Sequence, residues 1–587
     1  MPVPTKRWQV YPPLPDSLRA RFPHLSPLVL QILYNRGITD AAEVETFLGG
    51  RLVFDNPFRL QGMNEAVARI RQAVGGGEPI AVYGDFDADG VTATALLTQT
   101  LEALGAQVQP YIPHRVDEGY GLNKGALSKL ARQGVRLVIT VDCGIRSVED
   151  VAHARQQGLD VIVTDHHSVG PELPLAVAAI NPKRKDCPYP FKELAGVGVA
   201  FKLAQALLRV ESSMRRRGAP AIPLREEDLL DLVAVGTVAD VVPLLGENRH
   251  LVQRGLERLN PSPPQGPEGQ GQRYDYPQRT GLRALMQKAN VKPGKVSAMD
   301  IGFRLGPRLN AAGRLESAML SYDLLRTTDD AVSGELAQKL DDLNRRRQKL
   351  TLETQEQARA QIEEEGADAF LHLVAREDIL AGIAGLVAGR LTEELYRPTV
   401  VVEWGQKLSR GSARSIPEFN ITAALDRCGD LLERHGGHAA AAGFTVKTKN
   451  LPLLKARLQE IAAEKLAEKE LTPTLSIDAE VRLDELNWAT YELLQQFEPC
   501  GYANPAPLFL SRSVQVRDRR RVGSDGKHLR LTLSDGGTAW DGIAFQQGEW
   551  AEGMPERIDV AYTLEVNEWN DRLRLQLNVQ DLQPSTA

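Results

Sequence analysis

At 587 residues the chain exceeds what one hydrophobic core usually serves, so two to four domains are expected. Hydrophobic residues at 42% and charged residues at 25% fit a globular protein, and no run of about 18 uncharged apolar residues is present to span a membrane. A formal net charge of −6 excludes nucleic-acid binding through bulk positive charge, so any such binding must rest on local basic patches.

The N-terminal stretch MPVPTKRWQVYPP has no apolar leader core, and residues 1–75 read as an N-terminal helical region with amphipathic pieces such as SPLVLQILYNRG. Residues 76–328 read as the next domain, and from 79 to 260 apolar runs alternate with amphipathic segments. PIAVYGD, RLVITVDCG, LDVIVTD and LLDLVAVGTVAD read as buried strands or strand-like ends, with helices between them. That alternation predicts a parallel sheet with helices on its faces. The last run also has helical spacing, so strand and helix both stay open there. A polar Pro/Gly loop occupies 260–280, and residues 329–366, poor in apolar residues and free of Pro, read as one long connecting helix. Residues 367–465 return to mixed α/β. Residues 466–587 carry short alternating strands such as HLRLTLSD and RLRLQLNVQDL, the pattern of a small antiparallel β-barrel. Cys143, Cys187, Cys428 and Cys500 form no CxxC pair, which argues against a structural zinc site or a disulfide framework and for a reduced, cytoplasmic setting.

Four acidic points follow the apolar runs: Asp85, Asp87 and Asp89 in YGDFDADG, Asp142 in VITVDCG, Asp165 with His166 and His167 in VIVTDHH, and Asp240 in GTVADVV. Ligands of open parallel sheets bind beyond the carboxyl ends of the strands, so these groups are expected to meet in one crevice. Carboxylates a few Å apart repel, and divalent cations relieve that repulsion. Hard oxygens with one or two imidazoles suit Mn²⁺ or Mg²⁺, and a pair of such ions clamps the attacking and leaving oxygens of a phosphoryl transfer. DxDxDG also opens a calcium-binding EF-hand loop, but the twelfth position from Asp85 is Leu96, where that loop needs a bidentate Glu. Cys143 beside Asp142 reads as packed rather than nucleophilic. Three basic runs stand out: Arg215–Arg217, Arg345–Arg347 with Lys349, and Arg517 with Arg519–Arg521. Each alone reads as a solvated surface.

With these residues the sequence resembles the DHH phosphoesterase family, and within it the RecJ-type single-stranded-DNA exonucleases. YGDFDADGVTAT, VDCGI, VTDHH, GTVADVVPLLGENR and IGFRLGPRLNAAGRL match in order, and RGSARS and GGHAAAAGF resemble the DHH-associated domain. The resemblance implies a site for two Mn²⁺ or Mg²⁺ ions made from Asp85, Asp87, Asp89, Asp142, His166, His167 and Asp240, with Asp165 added to the catalytic set. It implies a 5′-end phosphate pocket from Arg115, Ser412 and Arg414, and further phosphate contacts from Arg308, Asn310, Arg314 and His438. The last domain is expected to be an OB-type barrel, with Trp540 and Phe545 offered to bases. One stretch departs from the pattern: REDILAGIAGLVAGRL lacks the Trp-His-Pro-like element common ahead of its helix.

The implied activity is 5′→3′ hydrolysis of single-stranded DNA to 5′-mononucleotides in recombination and repair. The expected enzyme is a monomer away from membranes, with a single-strand binding protein and a RecQ-type helicase nearby. Two alternatives stay open. One is a DHH-type phosphodiesterase on short oligonucleotides, cyclic dinucleotides or polyphosphate; the other is a non-catalytic DNA-binding scaffold.

Overall fold

The computed structural model describes residues 6–49, 55–115, 117–215, 221–260, 279–523, 525–569 and 572–585. Arg216, Arg217 and the Pro/Gly stretch 261–278 lie outside the described residues. The chain forms two units, Val53–Leu471 with Gly501–Ala503, and Met1–Leu52 with Thr472–Cys500 and Asn504–Ala587.

The larger unit is built on an all-parallel sheet whose strands run in the order Val108–Tyr111, Ile80–Tyr83, Leu137–Val141, Asp160–Thr164, Ala178–Ile180. The apolar runs lack polar alternation because both faces are covered. Ile80, Val82, Leu137, Ile139 and Ile162 enter one core, while Ala81, Tyr83, Val138, Val161 and Val163 enter the core on the opposite face. Each such Val, Leu or Ile contributes roughly 1.5–3 kcal/mol by leaving water. In sheet order the first two strands are exchanged relative to the chain, so the chain reverses direction between Ile80–Tyr83 and Leu137–Val141. Crossovers leave toward opposite faces there and open a crevice at the carboxyl ends.

LLDLVAVGTVAD resolves as a helix, Leu230–Ala239, with Leu230 to Thr237 all buried. Its apolar residues surround the whole helix because neighbouring helices cover every side, which is why periodicity left the choice open. The helix Asp330–Glu365 runs unbroken for 36 residues and is capped by Asp329, whose side chain accepts from Ala331 and Val332 N–H. Beyond it lies a mixed sheet, Leu432–His438, Ala441–Lys447, Leu408–Arg414, Thr399–Glu403, His372–Arg376. The parallel pair at its end is joined by the helix Ala381–Leu395.

The smaller unit is a closed five-strand barrel: Phe509–Val522, His528–Ser534, Ala539–Ala544, Arg572–Pro584 and Arg557–Trp569, the last pairing back with the first. Every seam is antiparallel except Ala539–Ala544 against Arg572–Pro584. An odd number of strands in a ring cannot alternate direction throughout, so one parallel seam is unavoidable, a point strand patterning does not reveal. The stretch 1–75, read as one helical region, is divided. Residues up to Leu52 group with the barrel, and Arg7–Val10 pairs in parallel with Thr474–Ile477. The helix Met63–Gly76 packs instead in the larger unit. No helix among the described residues is long and apolar enough to cross a membrane.

Candidate metal centre and phosphate pocket

Three of the four acidic points are delivered by short segments at the carboxyl end of the parallel sheet. Asp85 and Asp87 follow the strand Ile80–Tyr83, and Asp87 caps the helix Ala88–Ala103 by accepting from Asp89 and Gly90 N–H at 3.0 Å each. Gly90 is required: a Cβ there would lie 2.6 Å from the Asp85 backbone. Leu96 is buried in this helix, which leaves no room for an EF-hand loop. Asp89 accepts from Gly196 N–H at 2.7 Å and Val197 N–H at 2.8 Å, the first turn of the helix Gly196–Met214. That helix start favours a negative charge. Gly196 itself has no alternative, since a Cβ would fall 2.5 Å from Asp142 Oδ1. Asp142 ends its strand at φ 62°, a left-handed conformation costly for a non-glycine residue and typical of functional sites. Asp240 ends the helix Leu230–Ala239 rather than a strand.

These groups converge. His166 Nε2 lies 3.1 Å from Asp142 Oδ1, 3.5 Å from Asp240 Oδ2 and 4.0 Å from Asp89 Oδ2. Three overlapping sets of donor atoms each fall within 4.8 Å of one another: Asp142, His166, His167; Asp89, His166, Asp240; and Asp85, Asp87, Asp142. Asp165 stands apart. Its carboxylate accepts from Ile145, His166 and His167 N–H and from His167 Nδ1 at 2.7 Å, so it orients the loop and the imidazole from behind. His167 Nδ1 also lies 3.9 Å from Asp142 Oδ1, and its Nε2 lies 3.4 Å from the Tyr120 hydroxyl, so the bond to Asp165 fixes how the ring is presented to the acidic set.

The electrostatics of the set favour a positive counter-charge. Burial, followed by the neighbouring Asp87, pushes Asp85 up to about 8 and Asp89 up to about 7. Burial, followed by Asp89, holds Asp142 and Asp240 well above the usual carboxylate range. Burial and then His167 lower His166 to about 3, so it is a neutral donor. For Asp165 burial acts upward, but the hydrogen bond and charge of His167 outweigh it and the carboxyl titrates below its ordinary value. Asp85 Oδ1, Asp142 Oδ1 and His166 Nε2 are buried without a hydrogen-bond partner. Orphaned acceptors of this kind are rare and expensive. A set of hard carboxylate oxygens with imidazole nitrogen fits Mn²⁺ or Mg²⁺. Cys143 is packed as expected: its buried thiol donates weakly to Tyr83 O at 3.9 Å, and burial raises its pKa well above the ordinary value.

A second cluster has the opposite sign. The Arg115 guanidinium lies 4.6 Å over the Phe86 ring, with Asp85 and Asp87 close enough to act on it. Arg314 donates to Gly382 O at 3.0 Å, but its Nε is buried without a partner. Burial, with Arg115, Arg347 and Arg414 nearby, lowers the Arg314 pKa to about 9. Arg414 is likewise lowered by burial and by Arg115, and Ser412 sits two residues before it in the same strand. His438, at the end of the strand Leu432–His438, is lowered by burial and then by His167. Asn310 turns its Oδ1 to Ala88 N–H at 2.7 Å and braces the aspartate loop.

Arg308 is placed differently from the expectation of a phosphate contact. Its Nε and Nη2 lie 2.9 Å from Asp341 on the long helix, and Nη1 donates to Arg304 O. Asp341 is buried, and Arg308 and Arg345 together neutralise it. Conversely, Arg347 was hidden inside a run that reads as surface. It is half-buried, its Nε lacks a partner, and Arg390 and Arg308 act on it. At about 100° per residue, Arg345 and Arg347 point to nearly opposite sides of the helix, so the spacing within the run was the available signal. The departing stretch 376–390 runs from the end of the strand His372–Arg376, where Arg376 forks onto Asp378, into the helix Ala381–Leu395, whose Gly382 O accepts from Arg314. In the barrel, Trp540 is core: it is 8% exposed and its indole N–H donates to Leu483 O. Phe545 is 54% exposed and edge-on to His528, and Arg517 and Arg520 are exposed on the longest strand.

Residues 79–237 match the DHH family, N-terminal domain, 367–464 the DHHA1 domain, and 477–581 the RecJ OB domain. The chain is 38% identical over 582 residues to the single-stranded-DNA-specific exonuclease RecJ of Bacillus subtilis, covering 98% of this chain and 70% of that protein. It is 36% identical to the RecJ of Dickeya dadantii, covering 97% of each. The crystal structure of Thermus thermophilus RecJ with Mn²⁺ superposes with a TM-score of 0.82 at 31% identity, covering 99% of this chain and 80% of that one, and its Mg²⁺ counterpart with 0.77 at 30% identity, covering 99% and 79%.

Proposed function

Since the chain belongs to the RecJ family of single-stranded-DNA-specific exonucleases, a branch of the DHH phosphoesterases, we propose that it hydrolyses single-stranded DNA from the 5′ end and releases 5′-mononucleotides. The cofactors are Mn²⁺ or Mg²⁺, the ions present in the superposing RecJ structures. The observation that carries the reading is the buried convergence of Asp85, Asp87, Asp89, Asp142, Asp240, His166 and His167, with three orphaned donor atoms, beside a cluster of under-neutralised arginines.

Asp87, Asp89, Asp142, His166, His167 and Asp240 hold the ions, with Asp85 completing the acidic wall. Divalent cations held there supply Lewis acidity toward a phosphodiester and its attacking water. Asp165 positions His167 and keeps its proton on Nδ1. Arg115, Arg314, Ser412 and Arg414 receive the 5′-terminal phosphate and so set which ester reaches the acids; guanidiniums suit this through their planar, paired donors. His438 adds a donor beside His167. Asn310 supports the aspartate loop, and Arg308 acts on the long helix rather than on DNA. These contacts address phosphate, so hydrolysis is independent of base sequence and binding weakens as salt rises.

The parts divide as residues 76–328 for catalysis, 329–366 as the connecting helix, 367–465 for the 5′ end and 466–587 for holding longer DNA. The enzyme works in recombination and repair on strands exposed by a RecQ-type helicase and covered by single-strand binding protein. One time course tests the core of this reading: single-stranded DNA labelled separately at each end, with Mn²⁺, Mg²⁺ or chelator. Early release of the 5′ label as mononucleotide, only with metal, is expected; early release of the 3′ label overturns the polarity.

A further inference from the structure

Lys202 is fully buried, in the middle of the apolar helix Gly196–Met214. A buried ammonium is expensive even when paired, and a well-packed apolar residue of similar volume is often as stable or more so. Lys202 is ion-paired with Glu247, itself 5% exposed. Tyr189, 0% exposed, donates its hydroxyl to the other Glu247 oxygen at 2.6 Å. Next in the chain, Asn248 donates to Pro243 O at 3.1 Å and to Glu193 O at 2.5 Å.

The connections run between two walls of the metal centre. The helix carrying Lys202 begins with the Gly196 and Val197 N–H groups that grip Asp89. Glu247 and Asn248 open the helix Gly246–Leu259, reached from Asp240 by only five residues, 241–245. Asp240 therefore leaves its helix, and within one short loop the chain is clipped at two consecutive residues to the 189–202 segment. Asp89 and Asp240 are the two carboxylates that close on His166 in one candidate set. Gln205 and Arg209 of the same helix grip Glu226, just ahead of the helix Leu230–Ala239, at 2.6–2.9 Å. The Lys202–Glu247 link adds a second tie, on the far side of Asp240, and so fixes the offset of the chain as it leaves that carboxylate. A charge pair with a steering hydroxyl specifies one geometry where Leu against Leu allows several.

We propose that Lys202, Glu247 and Tyr189 are positioning residues that hold Asp240 in register with Asp89, so that the ion shared by Asp89, His166 and Asp240 binds tightly. The proposal rests on the metal-centre reading above. The test counts and weighs bound Mn²⁺ by electron paramagnetic resonance of the free ion, with full-length protein and thermal melting alongside. In K202M/E247M the pair is replaced by unbranched apolar chains. Melting at or above the native temperature is expected, with one of the two Mn²⁺ sites weakened roughly 10–100-fold, the range for removing a ligand's supporting contact. Y189F deletes only the steering hydroxyl, keeps the fold and is expected to weaken the same site several-fold. Native Mn²⁺ affinity at both sites in Y189F, or in a folded K202M/E247M, overturns the proposal; if the double variant does not fold, Y189F decides. D142N separates the two levels: if it retains both ions at native affinity, the metal-centre reading itself fails, whatever the triad does.

Discussion

The larger unit holds two buried clusters of like charge that are built in different ways. The carboxylates sit on short segments directly after buried strands or at helix ends, and backbone N–H groups hold several of them: Asp89 by Gly196 and Val197, Asp165 by Ile145, His166 and His167. The arginines come from a loop (Arg115), two helices (Arg314, Arg347) and a strand (Arg414), and each relies on its neighbours' positions. Repulsion within each cluster is a cost the free protein carries and a counter-charge removes: a divalent cation on one side, a phosphate on the other. The lesson is that frustration of opposite sign marks the two halves of a phosphodiester site.

The sharpest way to break this comparison is D142N. Mn²⁺-dependent hydrolysis is expected to fall by on the order of 10³-fold or more, about 4 kcal/mol of barrier. DNA binding through the arginines should persist, measured by fluorescence anisotropy in chelator. A loss of binding equal to the loss of turnover would merge the two clusters into one. Next is R314M. It is expected to raise KM for 5′-phosphorylated DNA roughly 10–100-fold, about 1.4–2.8 kcal/mol, while raising the melting temperature of the free protein, because a partner-poor buried guanidinium is gone. Lower stability with unchanged KM would make Arg314 a structural residue.

A smaller effect separates the acids by pH. Asp85 and Asp89 titrate near 8 and 7 in the folded state, above an unfolded carboxylate. The folded chain thus retains protons that the unfolded chain has released, so stability without metal falls as pH rises from about 4 toward 8. Added Mn²⁺ should therefore raise the melting temperature more at pH 8 than at pH 5; an equal rise at both would contradict the charge account. The smallest expected effect is in the barrel. F545A should weaken binding of long single strands by about 1–3 kcal/mol without changing melting, whereas W540A should lower stability, by roughly 3–5 kcal/mol for a buried Trp, and unfold the barrel first.

How much was legible follows from chain distance. The aspartate loop, the DHH run and the strands beneath them lie within a few residues of one another, and their apolar runs fix both element and endpoint. Asp240 was found as a residue but not as a helix end, since LLDLVAVGTVAD is apolar on all sides and carries no period to read. Arg308 and Arg347 sit elsewhere than their sequence context suggests, because sequence shows neither the buried Asp341 that captures one nor the helix register that points the other inward. Trp540 and Phe545 look alike in a strand pattern, and only the closed barrel puts one inside.

The sequence alone determined the parallel sheet, the first three acidic points at its carboxyl ends, the choice of hard divalent ions, the long helix and a final barrel, because each depends on local periodicity or on residue chemistry. The tertiary structure decided which arginines lie together, which aspartate turns its carboxylate to backbone N–H groups and His167, the parallel seam of the barrel and the Lys202–Glu247 link. Those depend on side chains tens to hundreds of residues apart meeting at a few Å, and pairing at that range is a property of packing.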